Sequence, residues 1–172
     1  RLSSRPITRN LPASCTSIGY AAFNRCVSLE QINLPEGIEF IDVWTFGYTA
    51  LKNVVLPSTL KSLGYAAFSH SNLEQIALPE GFVTLGDYAL QACSSLRAVS
   101  LPSTLQRVGY CALSFVPALQ NISVNAGNPS FATMNGNLYS KDSTRLFVAA
   151  TASSPDFVVP ASVLVIDTAA FE

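Results

Sequence analysis

A repeat of 22 to 23 residues runs along most of the chain. Successive copies open on Leu-Pro and begin at Leu11, Leu34, Leu56, Leu78 and Leu101. A related pair, Val159-Pro160, follows after a longer gap of 58 residues. Self-similarity at this period is typical of a solenoid, in which each repeat forms one turn and contacts only its neighbours. The sequence therefore predicts a stack of similar turns.

Equivalent positions of the repeat can be compared as columns, and three columns are consistently apolar. The fifth holds Cys15, Ile38, Leu60, Phe82, Leu105 and Val163, and the eighth holds Ile18, Ile41, Leu63, Leu85, Val108 and Ile166. The thirteenth holds Phe23, Phe46, Phe68, Leu90, Leu113 and Phe171, and a small residue precedes most of them. Positions that stay apolar at a fixed period are expected to face the core. We expect three stacked core columns, with a tight corner before the third.

The end of each repeat predicts a strand. It reads Leu-x-x-Ile-x-Leu or a close variant, as in Leu29 to Leu34, and its last three residues alternate as a half-buried strand does. The ninth position is glycine in most copies, namely Gly19, Gly64, Gly86 and Gly109. Asp42 and Asp167 replace it elsewhere. We expect either a left-handed backbone or a close neighbouring turn at this position, because both disfavour most side chains.

The columns together resemble a known repeat. The run Leu-Pro-x-x-Leu-x-x-Ile-Gly-x-x-Ala-Phe-x-x-Cys-x-x-Leu-x-x-Ile is best seen in Leu11 to Ile32 and resembles the BspA-type, or Treponema-type, leucine-rich repeat. The resemblance extends to Phe171. It implies a right-handed leucine-rich repeat solenoid that is rich in β-structure, with one short strand per repeat in a parallel β-sheet and short helical or 3-10 turns on the convex side. Cys15, Leu90 and Leu113 depart from the pattern without changing the family.

An interruption separates Val124 from the last copy of the repeat. Asn128-Pro129-x-Phe131 and residues 135–142 resemble an insertion that recurs in this family. Residues 138–140 and 146–148 are strand-like on either side of a polar stretch, which predicts a β-hairpin. We expect one leucine-rich repeat solenoid domain over residues 1–172, with the hairpin insertion at about 125–158 and a partial repeat from 159. The missing initial methionine and the incomplete last copy lead us to expect a fragment of a longer protein.

Composition and charge exclude two classes of function. Hydrophobic residues make up 49% of the chain, but no apolar stretch approaches the ~20 residues of a transmembrane helix. We therefore expect no membrane span in this segment. The net charge is −1 and the basic residues are scattered, whereas nucleic-acid binding needs a basic patch that neutralises phosphates. We expect no nucleic-acid partner.

The four cysteines do not predict a metal site. Cys26 and Cys93 share a column three turns apart, about 14 Å at ~4.8 Å per turn, whereas a disulfide needs Cα atoms within ~7 Å. Cys15 lies in a core column and is interpreted as a small buried hydrophobe. Cys93 and Cys111 lie on adjacent turns at different columns, so the sequence leaves a bond between them open. The single histidine cannot complete a zinc site, and we expect reduced, structural thiols.

The sequence shows no set of residues that combines a nucleophile, a base and an orienting group. His70 is predicted in an exposed turn, and its column otherwise holds Arg25, Tyr48, Ala92 and Phe115, which share no chemistry. The carboxylate pairs Glu36 with Glu39 and Glu80 with Asp87 occupy unrelated positions, with no partner that suggests a perturbed pKa. The recurring glycines mark corners of the repeat and do not form a phosphate-binding loop. We expect a protein that is not an enzyme and binds no cofactor or metal.

The columns also locate two candidate binding surfaces. On the strand face, one outward column alternates in charge and predicts ion pairs between strands, and the next predicts an amide ladder; they hold Glu30, Lys52, Glu74, Arg97 and Gln120, then Gln31, Asn53, Gln75, Ala98 and Asn121. Beside the glycine corner, aromatic residues recur as Tyr20, Trp44, Tyr65, Tyr88 and Tyr110. Partly exposed aromatic residues are frequent contact residues in protein interfaces. Internal packing explains either surface as well, so the sequence leaves both alternatives open.

The resemblance implies a function in recognition. Related repeat proteins are associated with surface adhesion and binding of host proteins. This predicts a non-enzymatic, adhesin-like protein-binding module at the bacterial cell surface or in secretion, with a host surface or matrix protein as ligand. The alternative is a carbohydrate-binding or spacer module attached to other domains, in which the tyrosines and Trp44 stack on a glycan. A third alternative is an enzyme whose site is completed in another domain, and fold alone does not choose among the three.

Overall fold

The computed structural model describes residues 7–150 and 156–172. Residues 1–6 of the expected domain and residues 151–155 of the expected insertion lie outside the described residues. The strands are β1 (Ile7–Asn10), β2 (Leu29–Asn33), β3 (Phe40–Ile41), β4 (Ser62–Leu63), β5 (Gln75–Ala77), β6 (Thr84–Leu85), β7 (Ala98–Leu101), β8 (Arg107–Val108), β9 (Asn121–Val124), β10 (Phe131–Met134), β11 (Asn137–Ser140), β12 (Arg145–Val148) and β13 (Val165–Ile166). The described ranges contain no helix.

The strands at the ends of the repeats pair in parallel, which confirms the predicted solenoid. β1 pairs with β2, and β5, β7 and β9 form a second group in which Ile76, Val99 and Ile122 lie opposite one another. These three side chains are buried. One bridge, from Asn33 to Val55, follows β2, and no strand pairing joins Val55 to β5 within the described part of the chain. We call this series of strands the first sheet; it is interrupted between Val55 and β5.

A second parallel sheet consists of β3, β4, β6 and β8. Its two-residue strands come from the seventh and eighth positions of successive repeats, and the eighth residue is buried at Ile41, Leu63 and Leu85. The turns that follow are hydrogen-bonded but not helical. The expectation of short helical or 3-10 turns is therefore wrong for the described residues.

Two columns of left-handed residues explain why the turns do not continue as helices. Positions eleven and fifteen have φ between 48° and 61° in residues Ala21, Trp44, Ala66, Tyr88, Cys111 and Ala169, and Arg25, Tyr48, His70, Ala92 and Phe115. A right-handed helix cannot include this conformation, which costs a non-glycine residue ~1–2 kcal/mol. Hydrogen bonds to the next repeat hold it in place. Trp44 N–H donates to the carbonyl of Tyr65, and Tyr48 N–H to that of Ser69, both at 3.0 Å.

The glycine at position nine is required by close approach of the neighbouring repeat. Gly86 does not have a positive φ. A Cβ atom added to it would lie 2.5 Å from the carbonyl oxygen of Leu63, whereas one added to Gly19 meets nothing within 4 Å. The left-handed alternative is therefore wrong at this position. It is wrong for Asp42 as well, whose carboxylate instead accepts a hydrogen bond from Val43 N–H at 2.6 Å.

The core side chains are buried along the middle of the solenoid and more exposed at its ends. The rings of Phe23, Phe46 and Phe68 stack with centroids 5.4 and 5.0 Å apart. Cys15 is only half-buried, which corrects its assignment to the core, and Ile166 and Phe171 are about half exposed. These residues belong to the outermost described repeats. A repeat that is covered by a neighbour on one side buries less of each column.

Acidic side chains link two pairs of repeats. Copies that open Leu-Pro-Glu-Gly are followed by copies that open Leu-Pro-Ser-Thr. Glu36 accepts hydrogen bonds from the backbone N–H and hydroxyl of Ser58, at 3.1 and 2.9 Å, and Glu80 accepts the same pair from Ser103, at 3.2 and 2.7 Å. The pKa of Glu36 is lowered chiefly by the backbone bond from Ser58, and that of Glu80 chiefly by the hydroxyl of Ser103. Both carboxylates thus connect turns of the solenoid.

The interruption of the repeat forms a small sheet of its own. β11 and β12 are the two strands of the predicted hairpin, and β10 adds a third antiparallel strand that the sequence did not predict. Asn128 is buried where the insertion leaves the solenoid, and its amide donates to the carbonyls of Pro102 and Leu105. β13, from the last repeat, pairs in parallel with β12. The last repeat therefore stacks on the insertion, through the pairing of β13 with β12.

Candidate binding surfaces

Four aromatic side chains form a continuous row across successive repeats, which we call the aromatic row. Ring centroids lie 6.2 Å apart between Trp44 and Tyr65, 5.2 Å between Tyr65 and Tyr88, and 5.5 Å between Tyr88 and Tyr110. Tyr65 and Tyr110 are 45% and 52% exposed. The structure thus brings together four of the five aromatic candidates. Tyr20 is more exposed than either and makes no ring contact in the described part of the chain.

The backbone of the repeat fixes the positions of these rings. Tyr65 and Tyr110 occupy position ten, while Trp44 and Tyr88 occupy the left-handed position eleven, so the two kinds of ring alternate along the solenoid. Trp44 N–H donates to the Tyr65 carbonyl at 3.0 Å and Tyr88 N–H to the Tyr110 carbonyl at 2.9 Å. Side chains that are already ordered lose little conformational entropy when a partner binds. The row is therefore a preordered aromatic surface.

A second group of planar side chains extends the row at one end. Tyr48 and His70 stack with ring centroids 4.4 Å apart and an angle of 7° between the planes. Trp44 lies 5.9 Å from Tyr48, and the Arg25 guanidinium lies 5.2 Å from the centre of the same ring. His70 is exposed, as predicted, but it stacks on a neighbour as well as facing solvent. The aromatic surface is wider than the sequence indicated.

Sequence reasoning missed the contact between Tyr48 and His70, although the signal was present. Arg25, Tyr48 and His70 share position fifteen on three successive repeats. Neighbouring strands lie ~4.8 Å apart, which is close to the separation of two stacked rings. Planar side chains in one column of a solenoid are therefore expected to stack, even when their acid-base chemistry differs.

The hydroxyls of Tyr88 and Tyr110 remain protonated under physiological conditions. Desolvation is the main cause that raises the pKa of Tyr88, and a hydrogen bond with Cys111 is the main cause that raises the pKa of Tyr110. The ordinary tyrosine value is already ~10. A neutral phenol can both donate and accept a hydrogen bond, so the row offers a partner polar contacts as well as ring surface.

The charged column of the strand face is only weakly paired. Lys52 and Glu30 approach to 4.0 Å, and both side chains are at least one-third exposed. Glu74 and Arg97 form no ion pair within the described ranges. Exposed ion pairs contribute ~0–1 kcal/mol to stability. The predicted series of cross-strand ion pairs is therefore reduced to one, and the remaining charges face solvent.

The neighbouring amide column does not form the predicted ladder. In the described part of the chain, no hydrogen bond joins the side chains of Gln31, Asn53 and Gln75 to one another. These residues border a shallow groove of ≈450 Å³ on the strand face, where the first sheet is interrupted. Val55, at the same place, is 84% exposed. The strand face therefore carries solvent-exposed amide groups around the exposed side chain of Val55.

All four cysteines are free, which answers the disulfide question left open for Cys93 and Cys111. Cys93 is fully buried, and its thiol contacts the Ser71 hydroxyl at 3.3 Å and the Phe68 carbonyl at 3.2 Å. Burial raises the pKa of the Cys93 thiol to about 11. Cys26 is exposed.

No group of three or more His, Cys, Asp or Glu side chains in residues 7–150 and 156–172 is placed to hold a metal ion. Over the same ranges, no helix is long and apolar enough to cross a membrane.

The sequence and fold match one family of repeat proteins. A family model described as a BspA type leucine rich repeat region matches residues 16–146 in six copies. The matched span covers well over half of the chain. The chain belongs to this family. The match confirms the resemblance carried by the Leu-Pro and Ile-Gly-x-x-Ala-Phe elements. No curated protein matches the chain.

Solved leucine-rich repeat proteins share the fold of this BspA-type chain. A protein from Bacteroides ovatus is 37% identical with a TM-score of 0.64, over 67% of this chain and 31% of its own. One from Eubacterium ventriosum is 22% identical with a TM-score of 0.85, over 95% and 44%. The pneumococcal vaccine antigen PcpA is 19% identical with a TM-score of 0.73, over 99% and 53%. This BspA-type chain thus spans about a third to a half of these structures.

Proposed function

We propose that this BspA-type leucine-rich repeat chain is a non-enzymatic protein-binding module, adhesin-like in role, that acts at the cell surface or in secretion. The observation that carries the proposal is the aromatic row, in which Trp44, Tyr65, Tyr88 and Tyr110 form a partly exposed surface across successive repeats. Leucine-rich repeat domains generally mediate protein interactions. Tyrosine and tryptophan are enriched among the residues that dominate protein interfaces.

The packing of the rings favours a protein over a glycan as partner. A sugar binds by stacking on the open face of an aromatic ring. In the row, neighbouring rings meet at angles of 61°, 59° and 71°, so the edge of one ring contacts the face of the next. Ring edges and phenol hydroxyls remain available, and these suit a mixed polar and apolar protein surface. The carbohydrate-binding alternative therefore has less support than protein binding.

The strand face supplies a second region for contact. Among the residues that the structure describes, Glu74 and Arg97 carry exposed charges without an ion-pair partner, and Gln75 presents an exposed amide beside the shallow groove. Charges at the rim of an interface act mainly on association rate and choice of partner. We assign the principal binding energy to the aromatic row and an orienting role to Glu30, Lys52, Glu74 and Arg97.

The family and the fold support the proposed location and partner. PcpA, which shares the fold, is described as a pneumococcal vaccine antigen. We propose a location at the cell surface or in secretion for the present chain, and a host surface or matrix protein as its ligand. The proposal is for a module, because the chain spans about a third to a half of the solved structures that it matches.

The test is a binding screen with immobilised extracellular-matrix and host-surface proteins, run beside a glycan array. Wild type is compared with a variant that carries Tyr65→Ala and Tyr88→Ala. Truncation of one such central interface residue costs ~2 kcal/mol or more, which is about 30-fold in affinity. The double variant is therefore expected to weaken binding by at least this factor. The matched control is Tyr20→Ala, which removes a tyrosine from the same column as Tyr65 but outside the row.

The control variant is expected to bind as wild type does. Circular dichroism and thermal unfolding establish that all three proteins are folded. Protein binding that is equally strong in the double variant, or binding confined to the glycan array, would count against the proposal.

A further inference from the structure

The last repeat does not stack on the repeat before it in the usual way. In an ordinary pair of repeats, three backbone N–H groups donate to three carbonyls of the next turn: Trp44 to Tyr65, Phe46 to Ala67 and Tyr48 to Ser69. At the corresponding positions of the repeat that begins at Leu101, Phe115 N–H donates to the Glu172 carbonyl at 3.1 Å. The N–H groups of Cys111 and Leu113 donate no hydrogen bond within the described residues.

The last repeat forms most of its backbone hydrogen bonds with the insertion and not with the Leu101 repeat. Val165 N–H donates to the Thr144 carbonyl at 3.0 Å and Asp167 N–H to the Leu146 carbonyl at 2.9 Å. The Ala170 carbonyl accepts a hydrogen bond from Ala149 N–H at 2.7 Å.

The carbonyls of Gln106 and Val108 consequently accept no backbone hydrogen bond from a described residue, whereas the equivalent carbonyls of other repeats do. The Leu85 carbonyl, at the column of Val108, accepts from Gly109 N–H at 2.8 Å. No described residue donates to Gln106 or Val108 in this way, since β8 is the last strand of the second sheet. Unpaired backbone groups of this kind form a template for another chain.

A cleft of ≈330 Å³ lies over the unpaired groups of Val108, Cys111 and Leu113, and we call it the interruption cleft. One wall consists of residues 108–114, and the other of Arg145, Phe147, Val148 and residues 167–169. No Cα atom of β8 lies within 8 Å of a Cα atom of β12, whereas paired strands lie ~4.8 Å apart. The volume falls within the ~300–1,000 Å³ of ligand sites. The cleft therefore has room for a short extended segment.

We propose that the interruption cleft binds an extended peptide segment of a partner protein through backbone pairing with β8 and the turn after it. The repeat offers two carbonyls, of Gln106 and Val108, followed by two N–H groups, of Cys111 and Leu113. A peptide that runs parallel to the repeat supplies two N–H groups followed by two carbonyls, as the next turn does elsewhere in the solenoid. Strand addition of this kind takes its affinity from main-chain hydrogen bonds.

The lining of the cleft determines which side chains fit. Arg145 donates to the Asp167 carboxylate at 2.9 Å, so the two charges compensate each other, and its guanidinium lies 5.2 Å from the Phe147 ring centre. Leu113 and Val148 add apolar surface. A segment with an aliphatic residue followed by glycine and then uncharged residues fits this lining, as Leu63 and Gly64 do in the equivalent place of another repeat.

The probe is a fluorescent peptide with the sequence of residues 59–69, Thr-Leu-Lys-Ser-Leu-Gly-Tyr-Ala-Ala-Phe-Ser. Its Ser62, Gly64, Tyr65 and Ala67 already make the equivalent bonds inside the solenoid. Binding to the full chain is measured by fluorescence anisotropy. The control peptide carries an N-methyl group on the Gly64 nitrogen, which removes the donor to the Val108 carbonyl.

Two protein variants complete the design. Thr168→Trp places a large ring in the cleft from an exposed lining residue, and Ser94→Trp places the same ring at an exposed turn elsewhere. Binding is expected to weaken about tenfold for Thr168→Trp and for the methylated peptide, and to be unchanged for Ser94→Trp. The bound peptide is expected to slow hydrogen exchange at Cys111 and Leu113.

No binding of the peptide, equal binding to Thr168→Trp, or unchanged exchange at Cys111 and Leu113 would overturn the proposal. The measurement uses no partner of the aromatic row. A negative result with the peptide would therefore leave the proposed function of the aromatic row untouched. A negative result in the binding screen would likewise leave the proposal for the cleft untouched.

Discussion

The carboxylate of Glu36 accepts two hydrogen bonds from Ser58, one from its backbone N–H at 3.1 Å and one from its hydroxyl at 2.9 Å, across the boundary between two repeats. Glu80 and Ser103 repeat the arrangement two turns later, and Asn125 adds a third donor to Glu80 at 2.9 Å. Hydrogen bonds to an ionised carboxylate are stronger than those between neutral groups. The links between these repeats therefore depend on the charge of two exposed glutamates.

The first prediction concerns pH. The pKa values of Glu36 and Glu80 are lowered in the folded chain, so their contribution to stability is present above the ordinary glutamate pKa and is lost as pH falls through the lowered values. The double variant Glu36→Gln/Glu80→Gln is expected to unfold at a lower temperature than wild type at pH 7. The difference should disappear near pH 2. Thermal unfolding from pH 2 to pH 8 measures it.

The control for the pH experiment is Glu74→Gln. This residue makes no side-chain hydrogen bond or ion pair in the described ranges, so its replacement should change the unfolding temperature little at either pH. A difference between wild type and the double variant that is as large at pH 2 as at pH 7 would contradict the prediction.

The second prediction separates two glycines of the same column. Gly86→Ala is expected to destabilise the chain by ~1–3 kcal/mol, the usual cost of overpacking, because the new Cβ atom lies 2.5 Å from the Leu63 carbonyl oxygen. Gly19→Ala has open space at the same position and should be neutral or stabilise by up to ~1 kcal/mol. Urea unfolding measures both. Equal destabilisation by the two substitutions would show that close approach is not the cause.

The third prediction concerns the left-handed column. Ala92 has a φ of 55°, so Ala92→Gly relieves ~1–2 kcal/mol of strain in the folded chain. The same substitution lowers stability by ~0.4–1 kcal/mol, because glycine gives the unfolded chain more conformational freedom. We expect a net stabilisation of roughly 0.5 kcal/mol. Ala89→Gly, at a buried position with no positive φ, is the matched control and should destabilise by ~1.5 kcal/mol. Unfolding curves in which Ala89→Gly is more stable than Ala92→Gly would refute the argument.

The fourth prediction concerns thiol reactivity. At pH 8, a thiol reagent is expected to modify exposed Cys26 rapidly and to leave Cys93 unmodified in the folded chain. The reactive species is the thiolate, and burial raises the pKa of Cys93 to about 11. Mass spectrometry after timed labelling, with and without urea, identifies the modified residues. Modification of Cys93 in the folded protein at the rate of Cys26 would be inconsistent with its burial.

The repeat made the solenoid and its core columns predictable, because each column records the same environment several times. Ile76, Val99 and Ile122 lie opposite one another in the first sheet as their shared column indicates. The hairpin of β11 and β12 followed from two strand-like segments around a polar turn.

Backbone conformation was less predictable from residue type. The left-handed position eleven holds Trp44, Ala66 and Cys111, which have no chemistry in common and no intrinsic preference for positive φ. Hydrogen bonds from the neighbouring repeats impose that conformation, and a single repeat does not reveal them. The same reason explains why the second sheet was not predicted: a two-residue strand such as β4 has no periodic signature of its own.

The candidate surface was predicted in part. The columns placed Trp44, Tyr65, Tyr88 and Tyr110 along one side. The contacts between their rings, and the lack of a ring contact at Tyr20 in the described chain, depend on the folded arrangement of the repeats. The ion pairs predicted from alternating charge reduce to Glu30 with Lys52. Long exposed side chains gain too little from pairing to hold one geometry, so charge sequence alone predicts such contacts poorly.

The two Glu–Ser links do not span the junction between the repeats that begin at Leu56 and Leu78. No side-chain link of this kind joins the turn at residues 56–59 to the turn at residues 78–81, and the strands that lead into them, at Val55 and β5, are not paired with each other in the described structure. Both absences fall at the same boundary. Under bending or tension, the stack should yield there first, so that the solenoid flexes as two stiff segments joined by a compliant joint.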